Sequence, residues 1–328
     1  MTFLLNEFKI FFIGVGGTHP TERHSPPSIA VKLDSDFLLM DCGEGCVRGL
    51  FHFGISTLKI KYVILTHIHG DHVFGLPSLL HTMALYDRRR DLCIIGPRGT
   101  ARFIKGLVSA FPYYPSYRVL IKEVSNGDSI RLDKYIMLFG PSDHDCEAIS
   151  VRIEEIAPKY KLDQKKIKAL KNLNSVEIKK LSMGEPIHRE SSVLYPEEVA
   201  KYRIIPRSVV YSGDTRPTED MIKFSKGARV LIHDSAYSED LKDVAVEYGH
   251  STAKDAAKIA LKAGVDFLFL FHYSPRIKDE TILLKEAREI FPRTALSRDL
   301  TFFRVPRKYI EIGSERVIYN LPPRRPHL

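Results

Sequence analysis

The segment THIHGDH, residues 66–72, places three histidines and one aspartate directly after the apolar run YVIL. No lysine or arginine lies among these side chains, so a purely structural role would leave their desolvation uncompensated. In an extended segment, residues i and i+2 point to the same side, so His67 and His69 can bind one ion. A turn at Gly70 would direct the following acid and histidine toward a second ion. The candidate ligands are His67, His69, Asp71 and His72.

The length and composition allow a large buried core. A chain of 328 residues that is 44% hydrophobic can form one large α/β domain or two smaller ones. No apolar run approaches the roughly 18 residues of a membrane span. The start, MTFLLNEFKIFFIGVGG, has neither a basic first segment nor a small-residue cleavage site, and it predicts a first strand and turn of a cytoplasmic protein. The four cysteines form no CxxC pair and are interpreted as reduced thiols.

The charge is moderately positive, with 49 Lys and Arg against 40 Asp and Glu, a net charge of +9. A surplus of this kind is typical of cytoplasmic proteins that bind polyanions. A general contribution to solubility explains the same surplus equally well.

Several short apolar runs end in Gly, Pro, Asp or His: FKIFFIG, FLLMDCG, KYVILTH, LCIIGP and VLIHDS. Strands that are buried on both faces have this pattern, with functional residues where they end. Amphipathic helices are predicted between them at 74–86, 99–110, 252–263 and 281–290. The residues STAKD, 251–255, resemble a helix N-cap and would place His250 just before a helix. The fold class is therefore predicted to be α/β.

The segment 158–206 departs from this pattern, because it contains 11 Lys and Arg against 6 Asp and Glu and shows no long apolar face. It is predicted to be a helical, lysine-rich arm inserted into the main domain, and a solvated insertion without a function is equally possible. The predicted organisation is a catalytic domain of residues 1–157 and 207–320, the basic arm of residues 158–206, and a flexible tail of residues 321–328.

A zinc site needs about four ligands per ion, so the first motif cannot form the whole site. Three further candidates each follow an apolar run and precede a turn, where loop residues converge on a shared cleft. They are His144 in PSDHDCE, Asp214 in VVYSGDTRP and His272 in FLFLFHYSPR.

These motifs resemble those of the metallo-β-lactamase superfamily and, within it, the ribonuclease Z family, whose members trim the 3′ end of precursor tRNA. The resemblance covers essentially the whole chain through DCGEG, LTHIHGDHVFGLP, GPRG, YSGDTRP, LIHDS, YGHST and HYSPR. It implies an αββα sandwich with the site at one edge of the sheets. It also implies a zinc-dependent endonuclease with two zinc ions per chain that acts on precursor tRNA as a homodimer. The products would be a 3′-hydroxyl and a 5′-phosphate.

Residue by residue, the resemblance implies that one zinc is bound by His67, His69 and His144. The other would be bound by Asp71, His72 and His272, with Asp214 bridging the two ions. Two such cations can activate a water molecule and hold a phosphodiester for in-line attack.

The resemblance also implies catalytic roles outside the ligand set. Asp71 would be the general base as well as a ligand. His250, held by Asp234, would protonate the leaving 3′-oxygen. The alternative is that His250 only caps the following helix. Asp41 of DCGEG is interpreted as a supporting carboxylate rather than a catalyst.

Contacts with RNA are implied at three places. These are the GPRG turn, Arg276 of HYSPR and the lysines of the basic arm, which would supply affinity through phosphate contacts. The predicted residues are Gly96, Pro97, Gly99, Arg276, Lys165, Lys166, Lys179 and Lys180.

Two other functions are compatible with parts of this pattern. A small-molecule hydrolase acting on phosphodiesters or thiolesters would share the seven ligands but gain nothing from a lysine-rich arm. A catalytically silent nucleic-acid-binding subunit would have no reason to keep a complete ligand set.

Overall fold

The structure is a computed structural model that describes residues 7–110, 117–170, 172–189, 192–313 and 316–320. The predicted flexible tail, residues 321–328, lies outside the described residues. The chain folds into two compact units. Unit 1 comprises Met1–Ile130, Met137–Ile153 and Val209–Val305, and unit 2 comprises Arg131–Ile136, Glu154–Ser208 and Pro306–Leu328.

Unit 1 is built on two seven-stranded sheets. The first sheet contains, in spatial order, β18 (Thr301–Arg304), β1 (Lys9–Gly14), β2 (Ser28–Leu33), β3 (Asp36–Met40), β4 (Ile60–Ile64), β5 (Leu92–Gly96) and β6 (Val119–Glu123). The strands from β18 to β3 pair antiparallel, and those from β3 to β6 pair parallel. Parallel pairing brings the carboxyl ends of these strands to one edge of the sheet.

The second sheet belongs mostly to unit 1. It contains β17 (Thr294–Leu296), β16 (Phe267–Phe271), β15 (Val230–Asp234), β14 (Ser208–Tyr211), β9 (Ser150–Glu155), β8 (Tyr135–Gly140) and β7 (Ser129–Arg131). The strands from β14 to β17 are parallel neighbours. The inner faces of the two sheets meet at aromatic pairs, for example Phe12 and Phe269, whose ring centroids are 5.0 Å apart.

The helices of unit 1 cover the sheets. They are α1 (Cys46–His52), α2 (Gly70–Val73), α3 (Leu76–Leu85), α4 (Thr100–Ser109), α8 (Glu219–Ser225), α9 (Lys242–Glu247), α10 (Ala253–Ala263) and α11 (Thr281–Ile290). Leu79 and Met83 of α3 are fully buried in one cluster with Val63 and Ile94 of the first sheet. Helix α10 packs against α8, α11 and the strands β15 and β16. The layers are thus helix, sheet, sheet, helix, which confirms the predicted αββα sandwich.

The four predicted helices are confirmed, three of them with shifted ends and α11 with the predicted ends. The helix predicted at 74–86 is α3, and the helix predicted at 99–110 is α4. Helix α10 begins where STAKD indicated, because the Thr252 side chain accepts the backbone N–H of Asp255, and the Asp255 side chain accepts that of Thr252. A reciprocal cap of this kind satisfies two donors that the helix leaves without partners. Within the described residues, no helix has the length and apolar character needed to cross a membrane.

Unit 2 has its own small core. Its sheet contains β10 (Tyr160–Leu162), β13 (Ala200–Ile205), β19 (Arg307–Glu311) and β20 (Val317–Asn320), and β11 (Ile187–Arg189) pairs with β12 (Ser192–Leu194). Its helices are α5 (Gln164–Ala169), α6 (Ser175–Met183) and α7 (Pro196–Val199). Leu181, Ile187 and Val199 are buried together, although the sequence showed no long apolar face.

The basic segment therefore folds as short helices and strands with a local core. Residues 131–136 and 306–328 fall in the same unit, so the segment 158–206 is not a compact unit by itself. The assignment of 158–206 as an inserted arm, and of 1–157 and 207–320 as the catalytic domain, stays a prediction. Lys165, Lys166, Lys179 and Lys180 are exposed on α5 and α6.

Candidate metal centre

The site lies where strands of both sheets end. His67 follows β4, His144 follows β8, Asp214 follows β14 and His272 follows β16. These positions explain why separate apolar runs in the sequence each finish in a titratable residue. The loops after the strands bring the seven predicted ligands together in one cluster.

Gly70, where the sequence predicted a turn, is the first residue of the short helix α2. A Cβ atom on Gly70 would lie 2.4 Å from the tip of the Phe74 ring, which is 68% exposed and would have to move aside. His69 precedes the helix in an extended conformation, and its carbonyl accepts the backbone N–H of His72 at 3.1 Å. His67 and His69 belong to one group of possible ligands and Asp71 and His72 to another, although the His67 and His72 rings also approach each other, with centroids 4.0 Å apart.

The first group of side chains is His67, His69 and His144, whose ligand atoms all lie within 4.8 Å of one another. His69 Nδ1 and His144 Nε2 are 3.2 Å apart. The three rings meet edge to face, with centroids 4.7 to 5.0 Å apart. Three imidazole nitrogens converging on one point form a set that suits zinc and other first-row metals.

The second group is Asp71, His72 and His272. His272 Nε2 lies 3.4 Å from Asp71 Oδ2, and His72 Nε2 lies 3.7 Å from the same oxygen. The backbone N–H of Thr18 donates to this oxygen at 2.7 Å. This set combines nitrogen and oxygen ligands.

Asp214 lies between the two groups. Its Oδ1 is 3.4 Å from His72 Nε2, and its Oδ2 is 3.2 Å from His272 Nε2 and 3.8 Å from His67 Nε2. Burial alone would raise the pKa of Asp214, but His272 and His72 outweigh burial and hold that pKa well below its usual range. Asp214 is therefore a carboxylate that faces members of both groups.

Buried atoms without partners test whether these residues fit a metal ion. Among the described residues, the buried side-chain atoms with no hydrogen-bond partner include His67 Nε2, His72 Nε2 and Asp214 Oδ1, all of which face the two groups. Leaving a buried polar atom unpaired costs about 1–3 kcal/mol. Burial also lowers the pKa of His67, which keeps its imidazole neutral and able to bind a cation. The donor set thus fits divalent cations.

Supporting residues orient the candidate ligands. Asp41 is fully buried and accepts His72 Nδ1 and the Tyr211 hydroxyl, each at 2.8 Å. His144 Nδ1 donates to the Gly249 carbonyl at 2.9 Å. Bonds of this kind fix the tautomer and leave the other ring nitrogen for the metal. Asp41 contacts a ligand without belonging to either group, as expected from its motif.

Three residues of the site have strained backbones, and one of them is Thr18, with a φ of 69°. Asp41 has a φ of 56° and His272 a φ of 67°, in the left-handed region that non-glycine residues rarely adopt. Such conformations cost about 1–3 kcal/mol each and occur mostly at functional sites.

His250 and Asp234 form a pair beside the second group. His250 Nδ1 is 2.8 Å from Asp234 Oδ2, and the His250 ring stacks on His272 with centroids 5.1 Å apart. Burial would lower the pKa of His250, but Asp234 outweighs burial and raises that pKa to about 9. The side chain of Thr252, not His250, caps α10, so the interpretation of His250 as only a helix cap is wrong.

The cluster opens into a cleft of about 500 Å³. Arg276 lies in the lining of the cleft together with Asp71, His250 and most of the candidate ligands. Sequence reasoning missed Tyr248, Tyr237 and Thr18, which also line the cleft. Tyr248 begins the YGHST motif and Tyr237 lies three residues after β15, but neither residue was assigned a role, whereas Thr18 acts through its backbone N–H, which no residue type reveals.

The GPRG turn is not part of this lining. The backbone N–H groups of Gly99 and Ala101 donate to Glu123 Oε1, each at 2.9 Å. A phosphate bound by the Gly99 N–H would have to displace Glu123. The predicted RNA contacts of Gly96, Pro97 and Gly99 therefore stay predictions without support from this geometry.

Comparisons with known proteins identify similar chains. Residues 8–102 match the family described as anti-Pycsar protein Apyc1. The fold is similar to the metallo-β-lactamase fold protein YhfI from Bacillus subtilis, with a TM-score of 0.67, 19% identity and coverage of 91% of this chain and 99% of that one. It is also similar to the short form of human tRNase Z, with a TM-score of 0.66, 20% identity and the same two coverages. These likenesses establish the fold.

Curated relatives establish the family. The chain is 39% identical over 308 residues to the ribonuclease Z of Picrophilus torridus, covering 93% of this chain and 98% of the relative. It is 34% identical to the ribonuclease Z of Thermoplasma volcanium, covering 93% of this chain and 100% of the relative. Because the identities exceed 30% over nearly full length, the chain belongs to the ribonuclease Z family.

Proposed function

We propose that this chain is a zinc-dependent endonuclease that removes the 3′ trailer from precursor tRNA. It leaves a 3′-hydroxyl on the tRNA and a 5′-phosphate on the trailer. The observation that carries the proposal is Asp214 between two three-residue ligand groups, next to the His250–Asp234 pair. The ribonuclease Z relatives support the same reaction and substrate.

The two groups of candidate ligands define the two proposed metal sites. His67, His69 and His144 would hold one zinc ion, Asp71, His72 and His272 would hold the other, and Asp214 would contribute to both sites. When bound, two such ions lower the pKa of a water molecule and stabilise the negative charge that develops on the phosphodiester.

The side chains move the protons. Asp71 accepts the proton of the attacking water, and the Thr18 N–H holds its carboxylate in position. His250 donates a proton from Nε2 to the leaving 3′-oxygen, because its Nδ1 is already bonded to Asp234. Asp234 in turn accepts the backbone N–H of Thr215 at 3.0 Å, which fixes the carboxylate that orients His250.

The substrate proposal rests on charge. The exposed lysines of α5 and α6 and the exposed Arg276 contact phosphates of the precursor tRNA. The segment 158–206 acts as an inserted tRNA-binding arm of a catalytic domain formed by residues 1–157 and 207–320. We also propose that the protein works in the cytoplasm and as a homodimer.

The lysine contacts are tested by the salt dependence of tRNA binding. A Lys179→Glu and Lys180→Glu double variant should weaken tRNA binding. The slope of log affinity against log salt concentration should become shallower by the amount expected for the loss of about two phosphate contacts. The matched control changes Lys226 and Lys285 to Glu, because both are exposed residues of unit 1. An equal loss of slope in both double variants would show that net charge alone, and not this surface, attracts the tRNA.

The alternative function, a small-molecule hydrolase with the same seven ligands, is not favoured by the ribonuclease Z relatives. Comparing a 3′-extended precursor tRNA with the same RNA carrying a disrupted tRNA fold separates the two. The proposed function predicts efficient, chelator-sensitive cleavage of the folded precursor only. Zinc content near two ions per chain would exclude a catalytically silent subunit, whereas cleavage of both RNAs at equal rates would contradict the proposal.

A further inference from the structure

Tyr248 occupies a position in the cleft that the proposed chemistry does not use. It is the residue that ends helix α9, and its N–H donates to the Val244 carbonyl at 3.1 Å. Its side chain is 47% exposed and contributes to the cleft that also contains His250 and the candidate metal ligands. An aromatic ring left half exposed at the edge of a polar cleft is available for contact with a ligand.

Arg276 lies next to this ring. Its guanidinium carbon is 5.9 Å from the centroid of the Tyr248 ring, within the range of a cation–π contact. Among the described residues, the Arg276 guanidinium forms no ion pair with a carboxylate, whereas Arg216, near the same cleft, bonds to Asp143 and Asp145. Arg276 therefore keeps its positive charge for an anion from outside the protein.

A half-exposed ring beside an uncompensated guanidinium suits an unpaired nucleotide. Proteins bind single-stranded RNA by stacking bases on aromatic rings and pairing phosphates with arginine. The cleft volume of about 500 Å³ falls within the range of pockets that hold small ligands. A small phosphodiester without a base would leave this end of the cleft without a role.

We propose that Tyr248 and Arg276 form a stacking site for the nucleobase of the last nucleotide of the mature tRNA. This inference rests on the proposed function. We favour this nucleotide over the first nucleotide of the trailer because it carries the 3′-oxygen that His250 protonates. Tyr248 lies two residues before His250 in the chain. Stacking accepts any base, so the site positions the scissile bond without reading the sequence.

The first test combines a protein change with a substrate change. Tyr248→Ala should lower kcat/KM for a normal precursor tRNA about tenfold, the order expected for one stacked base. On a precursor whose last tRNA nucleotide is abasic, Tyr248→Ala and the wild type should have nearly the same kcat/KM. An equal loss on both substrates would overturn the proposal, as would a loss that disappears only when the first trailer nucleotide is abasic.

Two control variants show whether the ring itself is required. Tyr248→Phe keeps the ring and should restore most of the kcat/KM that Tyr248→Ala loses. Tyr86 ends α3 in the same way, is 56% exposed and lies outside the cleft lining. Tyr86→Ala should therefore leave kcat/KM unchanged, and a loss equal to that of Tyr248→Ala would contradict a specific site.

The second test measures stacking without cleavage. The zinc-loaded protein binds an RNA hairpin that ends in an unpaired 3′-terminal 2-aminopurine, and a dye at the far end reports binding. Stacking on the ring should quench the 2-aminopurine fluorescence in the wild type and in Tyr248→Phe. It should not do so in Tyr248→Ala, even when the dye shows that this variant is saturated with RNA. Quenching that is unchanged in Tyr248→Ala would overturn the proposal. If the wild type leaves precursor tRNA uncut, the proposed function fails, and this fluorescence alone decides whether the base stacks.

Discussion

Replacing His250 with alanine separates RNA cleavage from general hydrolysis by a two-metal centre. The His250 Nδ1 atom is bonded to Asp234 at 2.8 Å, so only Nε2 can donate a proton to a substrate. Burial lowers the pKa of His250, but Asp234 outweighs burial and raises it to about 9, which favours the protonated ring at neutral pH. A group of this kind can act as a general acid throughout the neutral range.

The expected loss depends on the leaving group. A ribose 3′-oxyanion needs a proton in the transition state, whereas p-nitrophenolate is stable without one. General acid catalysis contributes about 10²–10⁴-fold, so His250→Ala should lose that factor on precursor tRNA and much less on bis(p-nitrophenyl) phosphate. Asp234→Asn should lose less than His250→Ala with the same selectivity, since it weakens the orientation of the ring without removing it.

The assay is single-turnover cleavage of both substrates by protein with matched zinc content. Circular dichroism confirms that the variant is folded. If His250→Ala slows both substrates equally with zinc retained, His250 binds the phosphate rather than protonating the leaving group. Unchanged rates on both substrates would refute any catalytic role.

Three further predictions concern the support of the site and of unit 2. Asp41→Asn removes an acceptor from His72 and should weaken metal affinity about 10–100-fold in a chelator titration. Gly17→Ala should lower the zinc content, because the new Cβ would lie 2.6 Å from His272 Cε1, and full zinc occupancy would contradict this. Burial raises the pKa of Glu155, but Arg207 outweighs burial and lowers that pKa below the usual glutamate value of 4.5. The ion pair therefore stabilises unit 2 at pH values above 4.5, and this contribution is lost as the pH falls through the lowered pKa of Glu155. Glu155→Gln should therefore cost about 2 kcal/mol at pH 7 and flatten the fall of Tm with acid, and an unchanged acid profile would refute this.

The sequence predicted the framework of the site because ligand chemistry and strand ends coincide in the chain. The run before His67 and the run before His272 are buried strands, and both residues enter the same cluster. The helix after STAKD was predictable because its cap is local. Features of this kind depend only on residues that are close in sequence, so they can be predicted without knowledge of the fold.

Other features depend on contacts that are distant in sequence. Glu123 bonds to the GPRG turn across 24 residues, so the sequence could not reveal that Gly99 already has an acceptor. The core of unit 2 joins Leu181 to Val199 through short elements whose apolar residues show no long period. Tyr248 begins the YGHST motif, but only the fold brings it beside Arg276.

Mapping the products of a 3′-extended precursor tRNA tests the central claim most directly. The protein is incubated with the precursor, with and without a chelator, and both product ends are identified at nucleotide resolution. We expect one cut at the 3′ end of the tRNA body, with a 3′-hydroxyl on the tRNA and a 5′-phosphate on the trailer, abolished by chelation and restored by zinc. Cleavage that survives chelation, or that leaves a 2′,3′-cyclic phosphate, would contradict it.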